Sequence, residues 1–142
     1  RLGISIIDAA VGDSRKTPEC LAGKAELVIA DVPCSGLGTI RKKPDVRYKD
    51  AAVLEELPPL QYEILSALSK CVKPGGRIIY STCTLNDREN REVAERFLSE
   101  NAEFELEDFE TPIAASENGM LTLWPHIHDT DGFFICRMRR KI

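Results

Sequence analysis

The chain has 142 residues, of which 43% are hydrophobic and 30% are charged, and its formal net charge is −4. This length is typical of one domain, with a core large enough to need no disulfide or structural metal. The negative charge excludes a protein whose overall field attracts nucleic acid, and no apolar run approaches the roughly 20 residues of a membrane span.

The cysteines indicate a reducing environment. There are five of them, an odd number, and none forms a CxxC pair, which argues against a disulfide framework and against a zinc site. No signal-peptide pattern opens the sequence. We therefore expect a cytoplasmic protein that binds no metal.

The first predicted elements are the end of a helix, with Gly3 as its C-cap, and a strand from Ile4 to Val11. A short turn or helix begins at Thr17. An unbroken apolar run then predicts a strand from Ala25 to Asp31, of the kind that is buried on both faces in a parallel sheet. Pro33 ends this strand because proline has no N–H for the ladder.

The middle of the chain predicts a loop and two helices. Asp50 caps a short helix from Ala51 to Leu57, which Pro58-Pro59 should end because proline removes a backbone donor and clashes with the preceding turn. A second helix begins at Leu60 and ends at Lys73-Pro74-Gly75-Gly76. Its apolar face has helical spacing and consists of Leu60, Ile64, Leu65, Leu68, Cys71 and Val72.

The last part of the chain predicts a strand from Arg77 to Cys83 and then a helix opened by the capping box Asn86–Glu89. The apolar face of this helix is Val93, Ala94, Phe97 and Leu98. Phe104–Leu106 alternates like an edge strand, residues 111–131 have no period, and Phe133 to Met138 is the last strand. Strands that alternate with helices indicate an α/β fold with a largely parallel sheet.

Two cysteines lie where these strands end. Cys34 comes three residues after Asp31, and Cys83 ends the next strand along the chain. Consecutive strands of a β-α-β unit lie side by side, about 4.8 Å apart, so both sulfurs should face one crevice at the edge where ligands bind. Cys83 also precedes a helix N-terminus, whose positive end favours a thiolate.

Three motifs, in order, carry a family resemblance. They are Asp31-Val32-Pro33-Cys34-Ser35-Gly36, Ser81-Thr82-Cys83-Thr84 and Thr130-Asp131-Gly132-Phe133-Phe134. Together they resemble the Sun/RsmB/NSUN family of RNA cytosine-5 methyltransferases, and the resemblance covers nearly the whole chain. It implies a Rossmann-like methyltransferase fold whose mostly parallel sheet has an antiparallel last strand. It also implies S-adenosylmethionine as cofactor and an RNA, by analogy ribosomal RNA, as partner.

The resemblance implies a role for each matched residue. Cys83 is the nucleophile that adds to carbon 6 of cytosine, and Cys34 is the thiol that assists proton removal and release. Asp31 matches the acid at the base and at the methionine end of the cofactor. Asp13 matches the acid at the cofactor's nucleoside end.

The family's glycine-rich cofactor loop and its RNA-binding region have no counterpart here. The resemblance therefore implies that residues 1–142 are the C-terminal portion of one catalytic domain, truncated so that its first two strands are missing. We expect the isolated chain to bind S-adenosylmethionine weakly or not at all and to be inactive. The missing strands belong between Ile4–Val11 and Ala25–Asp31, and the open edge predicts an edge-paired or swapped homodimer, or a rearranged N-terminal strand.

Other residues have competing interpretations. Arg41, Lys42 and Lys43 belong to a basic stretch after Cys34 that either contacts RNA phosphates or is a solvated face. The other three cysteines are expected to be small buried apolar residues: Cys20, Cys71 and Cys136. His126 and His128 are either general bases or ligands, or packed or exposed loop residues, and we expect the latter. Phe133 and Phe134 are expected to belong to the core.

Two other classes of function compete with the methyltransferase. The spacing from Cys34 to Arg41 is one residue too long for the loop of a cysteine phosphatase, and no histidine precedes the cysteine. A non-catalytic fragment that binds RNA or dimerises is consistent with the lack of a cofactor loop. Binding of S-adenosylmethionine distinguishes this alternative from a self-sufficient enzyme.

Overall fold

Five strands form one sheet in the part of the chain that the computed structural model describes, residues 3–50 and 52–142. They are β1 (Ala25–Asp31), β2 (Val72–Thr82), β3 (Phe104–Leu106), β4 (Met120–Leu123) and β5 (Phe133–Arg140). The order is β1-β2-β5-β3, and β4 also pairs with β5. β1 is parallel to β2, whereas β5 is antiparallel to β2, β3 and β4. Four strands therefore share one direction, which confirms the predicted mostly parallel sheet with an antiparallel last strand.

Two long helices cover one face of this sheet. They are α1 (Ala52–Ser69) and α2 (Arg91–Glu100), and a short helix, α3 (Pro125–His128), follows β4. Of the apolar face predicted for α2, Val93, Ala94 and Phe97 are buried and Leu98 is half-buried. The core draws on both long helices and all five strands: Ala30, Val32, Ile64, Leu65, Val72, Ile78, Tyr80, Val93, Ala94, Phe97, Phe104, Met120, Phe134, Cys136 and Met138.

The opposite face of β1 is open to solvent. Leu27 and Ile29 are 50% and 64% exposed, whereas Ala30 on the covered face is buried. The prediction that this strand is buried on both faces is therefore wrong for the described residues. The apolar run shows that both faces can be buried, but α1 and α2 supply a cover for only one of them.

The predicted strand Ile4–Val11 does not form. These residues are extended or bent and exposed, with Ile6 at 91% and Ile7 at 67%. A strand needs a neighbour to satisfy its N–H and C=O groups, and none of the described strands pairs with this segment. Gly3 has the left-handed φ of +65° expected of a C-cap, but the helix end predicted before it lies outside the described residues.

The prediction that Pro58-Pro59 end a helix is also wrong, because α1 runs through both prolines. Proline inside a helix costs about 3 kcal/mol, and the buried residues later in α1, such as Ile64 and Leu65, offset that cost. The helix ends at Ser69, earlier than predicted. Lys73–Gly76 belongs instead to β2, where it forms a bulge opposite β1 and Gly75 has a φ of +76°.

Two further differences lie in the C-terminal half. Residues 111–131 contain β4, which pairs with β5 and which their lack of alternation concealed. α2 begins at Arg91 rather than at Asn86, because residues 87–89 form a separate 3-10 turn. Asn86 caps that turn by accepting a hydrogen bond from the N–H of Arg88, so the predicted capping box is not formed.

The sequence predicts that three of the cysteines are buried in the core. Cys71 and Cys136 are buried, as predicted, but Cys20 is exposed in a short 3-10 turn at Glu19–Leu21. Phe134 is buried in the core, whereas Phe133 is only half-buried.

Candidate functional site

The carboxyl ends of β1 and β2 bring two sulfur atoms together. The two strands are in parallel register up to Asp31 and Ser81, and the N–H of Val32 extends the ladder by donating to the Ser81 carbonyl at 3.2 Å. Cys34 and Cys83 come just after this point. Their Sγ atoms are 3.2 Å apart, and both side chains are half-buried. The structure thus unites the two predicted thiols in one crevice.

The surroundings of Cys34 keep it protonated. Burial is the largest cause that raises the pKa of the Cys34 thiol, and the hydrogen bond to Cys83 and the charge that Cys83 can carry raise it further. Two thiolates at this distance would repel each other, so the pair holds at most one negative charge at neutral pH. Either sulfur can be the donor of the hydrogen bond between them.

Asp31 ends β1, three residues before Cys34. Its carboxylate is exposed and accepts a hydrogen bond from the Ser81 hydroxyl at 3.0 Å. Within the described residues, no hydrogen bond joins Asp31 to either cysteine. The carboxylate is therefore free to contact a molecule that enters the crevice from solvent.

The third motif closes the crevice through two glycines. The N–H of Gly38 donates to the Cys83 carbonyl at 3.0 Å, and the N–H of Gly132 donates to the Gly38 carbonyl at 2.8 Å. A Cβ atom added to Gly38 would lie 2.1 Å from the Gly132 carbonyl oxygen. Only glycine fits at position 38, where the loop after the first motif contacts the backbones of the second and third motifs.

A buried polar network lies beneath the cysteines, and its centre is Glu89. This carboxylate accepts hydrogen bonds from the N–H of Ser35 and the amide of Gln61. The sequence offered one signal for this network, since Gln61 is a polar residue next to the apolar face of α1. Nothing in the sequence marks Glu89 as more than a capping residue.

The predicted RNA contacts lie on the loop that follows Cys34. Lys42 forms an ion pair with Asp131 at 2.7 Å, and Arg41 lies 3.5 Å from Asp129. Lys43 is exposed and has no ion pair within the described residues. Lys49, which was not predicted as a site residue, donates from Nζ to the Ser35 carbonyl at 2.7 Å and places a positive charge next to the Cys34 loop.

Asp13 lies apart from the cysteines. Its carboxylate is paired with Arg15, whose side-chain hydrogen bonds lower the pKa of Asp13 to about 2. It lines a surface cavity of about 410 Å³ formed by residues 10–14, 16–18 and Leu68, and Asp31 does not contribute to it. Within the described residues, the two predicted cofactor-binding acids therefore do not form one site.

The remaining candidates are structural in the described part of the chain. His128 accepts a hydrogen bond at Nδ1 from the N–H of Trp124, and His126 is exposed. No group of three or more His, Cys, Asp or Glu residues among residues 3–50 and 52–142 is placed to hold a metal ion. No described helix has the length and apolar character that crossing a membrane requires.

Comparisons with known proteins agree with these features. The sequence family described as 16S rRNA methyltransferase RsmB/F matches residues 1–139. The chain is 41% identical to the probable ribosomal RNA small subunit methyltransferase B of Synechocystis sp. and 40% identical to that of Bacillus subtilis. In both comparisons 99% of the chain is aligned, but only 33% of the relative, so the chain spans about a third of their length.

Two solved structures share the fold. The crystal structure of PH0851 aligns with 97% of this chain and 32% of its own, with a TM-score of 0.89 and 36% identity. NSun6 from Pyrococcus horikoshii, solved with SFG, aligns with 98% of this chain and 36% of its own, with a TM-score of 0.77 and 26% identity. These likenesses confirm the predicted Rossmann-like methyltransferase fold.

Gly38→Ala is expected to separate the three motif segments. The new methyl group would meet the Gly132 carbonyl, and because this is backbone against backbone the free energy of unfolding should fall by about 3 kcal/mol or more. Urea unfolding measures the loss. Gly12→Ala is the matched control, since nothing lies within 4 Å of its Cβ position, and it should change stability little. Equal stability of the two variants would contradict the close approach.

Proposed function

Because the chain belongs to the 16S rRNA methyltransferase RsmB/F family, we propose that it supplies the reacting thiols of an RNA (cytosine-5) methyltransferase. The observation that carries this proposal is the 3.2 Å separation of the Cys34 and Cys83 sulfurs at the ends of two parallel strands. We also propose that residues 1–142 are the C-terminal portion of one catalytic domain, so that the activity is that of a longer protein.

In the first step, we propose that the Cys83 thiolate adds to carbon 6 of cytosine. Carbon 5 is too weak a nucleophile to accept a methyl group unaided, and the addition solves this problem. As the S–C6 bond forms, the electrons of the ring double bonds move toward nitrogen 3, which takes a proton, and carbon 5 becomes the nucleophilic end of an enamine. Asp31, which is exposed at the end of β1, is the acid that serves nitrogen 3.

S-adenosylmethionine, which the family and the NSun6 complex support, supplies the methyl group. The described residues do not form its complete site, because Asp13 and Asp31 lie apart. Asp31 is the residue of this chain that we assign to the cofactor's methionine end. The predicted role of Asp13 at the nucleoside end requires that its pairing with Arg15 be opened or shared.

In the last step, we propose that Cys34 assists removal of the proton from carbon 5. As that C–H bond breaks, its electrons restore the C5–C6 double bond and the C6–S bond breaks, which frees Cys83 as a thiolate. Nitrogen 3 returns its proton to Asp31. While Cys83 is bonded to the base, its sulfur carries no charge, and it no longer forms the thiol hydrogen bond with Cys34. Two of the causes that raise the pKa of Cys34 are then absent, and Cys34 loses its proton more readily.

We propose that the basic loop contacts the phosphates of the RNA, which is a ribosomal RNA by the names of the relatives. Lys43 is exposed, and Arg41 and Lys42 are paired only with acids at the rim of the crevice. Exposed ion pairs of this kind are worth little, so a phosphate group can replace the acids. Such contacts position an RNA without reading its sequence.

The cysteine roles can be separated with RNA that carries 5-fluorocytosine, tested on the longer protein of which this chain forms part. Fluorine at carbon 5 cannot leave as a proton, so the adduct should persist and be visible as a slower band in denaturing gels. Cys83→Ala should abolish this adduct. Cys34→Ala should instead accumulate an adduct with ordinary RNA, because release is slowed.

Cys20→Ala is the control, since this thiol is exposed outside the crevice and its removal should change neither adduct. If Cys34→Ala abolished the adduct with 5-fluorocytosine RNA and Cys83→Ala did not, the two assigned roles would have to be exchanged. If both variants formed it, Cys83 would not be the nucleophile, and if the unaltered protein formed no adduct, the covalent mechanism would be wrong.

A second candidate applies to the chain by itself, a non-catalytic fragment that binds RNA or dimerises. The separation of Asp13 from Asp31 favours it. We expect isothermal titration calorimetry of the isolated chain with S-adenosylmethionine to give no measurable heat of binding. Micromolar affinity would contradict this expectation and would make the chain a self-sufficient cofactor-binding unit.

The same fragment view leads us to propose that the isolated chain dimerises through β1. Leu27 and Ile29 are exposed, and no described residue pairs with the outer edge of this strand. An open edge of this kind pairs with other chains. Light scattering should give twice the mass of the chain, and Ile29→Lys should restore a monomer because it puts a charge at the interface. A monomer at every concentration of the unmodified chain would exclude this dimer.

A further inference from the structure

Glu89 is a fully buried carboxylate between the two cysteine loops. Within the described residues no Lys, Arg or His side chain lies at ion-pair distance from it. Its three partners are neutral N–H groups: the backbone of Ser35 at 2.8 Å, Nε2 of Gln61 at 3.0 Å and Nδ2 of Asn86 at 3.0 Å.

Each of these bonds attaches one part of the site to the same carboxylate. Ser35 directly follows Cys34 in the chain, and Asn86 belongs to the turn that follows Cys83. Gln61 extends the link, because its amide also donates to the Pro33 carbonyl at 2.9 Å on the other side of Cys34. Both cysteine loops are therefore bound to one side chain.

A second contact joins the same two loops. The hydroxyls of Ser35 and Thr84 are 2.8 Å apart, and both residues are buried. Each belongs to the residue that follows a cysteine. The Cys34 and Cys83 loops are thus connected twice, once directly and once through Glu89.

The energetics favour a role for this charge beyond stability. A buried carboxylate without a cation has lost its hydration, and only these three hydrogen bonds compensate for that loss. The arrangement also differs from a capping box, in which Glu89 would accept from the backbone N–H of Asn86. Here the carboxylate accepts instead from groups in three separate segments.

We propose that Glu89 is a positioning residue that holds the Cys34 and Cys83 sulfurs at reacting distance by fastening both of their loops to one carboxylate. The proposal rests on the proposed function, in which these sulfurs act as nucleophile and release group. It makes a claim about geometry that can be measured without RNA, cofactor or turnover.

The substitution Glu89→Gln tests this claim with little change in shape. Its amide –NH₂ must face one of the three donors, so at least one bond is lost; if Asn86 turns its amide over to accept from this –NH₂, the bond lost is the one that its oxygen accepts from the N–H of Arg88. Asn86→Asp added to it should repair the loss, because the new carboxylate accepts from the amide –NH₂ introduced at position 89, while the oxygen of that amide still accepts from Ser35 and Gln61. The double variant keeps the net charge and moves it by three residues.

Phenylarsine oxide reports on the distance between the sulfurs. Its arsenic(III) forms one As–S bond to each of two thiols and releases the oxide oxygen as water with the two thiol protons. Tight binding therefore requires that both sulfurs be held close together. All variants carry Cys20→Ser, which removes the exposed thiol, and Cys83→Ser in that background defines the binding that remains without the pair.

We expect Glu89→Gln to weaken arsenical binding about ten-fold, and the double variant with Asn86→Asp to regain most of it. Val93→Ala is the stability control, since it truncates a core residue of α2 that makes none of these hydrogen bonds. It should lower the unfolding midpoint without changing arsenical affinity under native conditions.

The proposal is overturned if Glu89→Gln binds as tightly as the parent, if the double variant stays as weak as the single one, or if Val93→Ala loses as much affinity. These outcomes are independent of methyl transfer. If the adduct experiment fails and the arsenical experiment succeeds, Glu89 still positions the thiol pair. Only the reaction assigned to the two thiols is then rejected.

Discussion

The parallel pairing of β1 with β2 determines where the two sulfurs lie. Asp31 is in register with Ser81, and the chain leaves both strands within a few residues of this pair. A slip of one residue would move one loop along the other by about 3.3 Å and turn its side chains to the opposite face. The 3.2 Å between the Cys34 and Cys83 sulfurs therefore depends on a backbone register that is fixed far into the core by residues such as Ile78.

The register of β1 with β2 brings the Cys34 and Cys83 loops to the same edge of the sheet, and short-range contacts then hold them there. Gly38 and Gly132 let two backbones approach more closely than any side chain would allow. Glu89 accepts hydrogen bonds from the backbone N–H of Ser35 after Cys34 and from the side-chain amide of Asn86 after Cys83. Close packing and a buried acceptor thus act on the same segments, and a loop freed from either of them would no longer be aligned with its neighbour.

The elements around the site could be predicted from the sequence because each depends on local pattern. The apolar runs of β1 and β2 and the positions of Cys34 and Cys83 at their ends follow from such patterns. The errors have tertiary causes. Ile4–Val11 has the composition of a strand but no neighbour to pair with, and β4 lacks alternation because its partner β5, not its own sequence, makes it a strand. The role of Glu89 is not visible either, since its partners come from three separate segments.

The crevice also has a consistent distribution of charge. Burial keeps Cys34 neutral, so the thiol pair carries at most one negative charge, while Lys49 at the Ser35 carbonyl contributes a positive charge close to it. Asp31 remains exposed to solvent at the end of β1. An uncharged aromatic base can enter such a site without the burial of a new charge. The raised pKa of Cys34 keeps a proton on that sulfur and makes the two thiols inequivalent, as the proposed addition and release require.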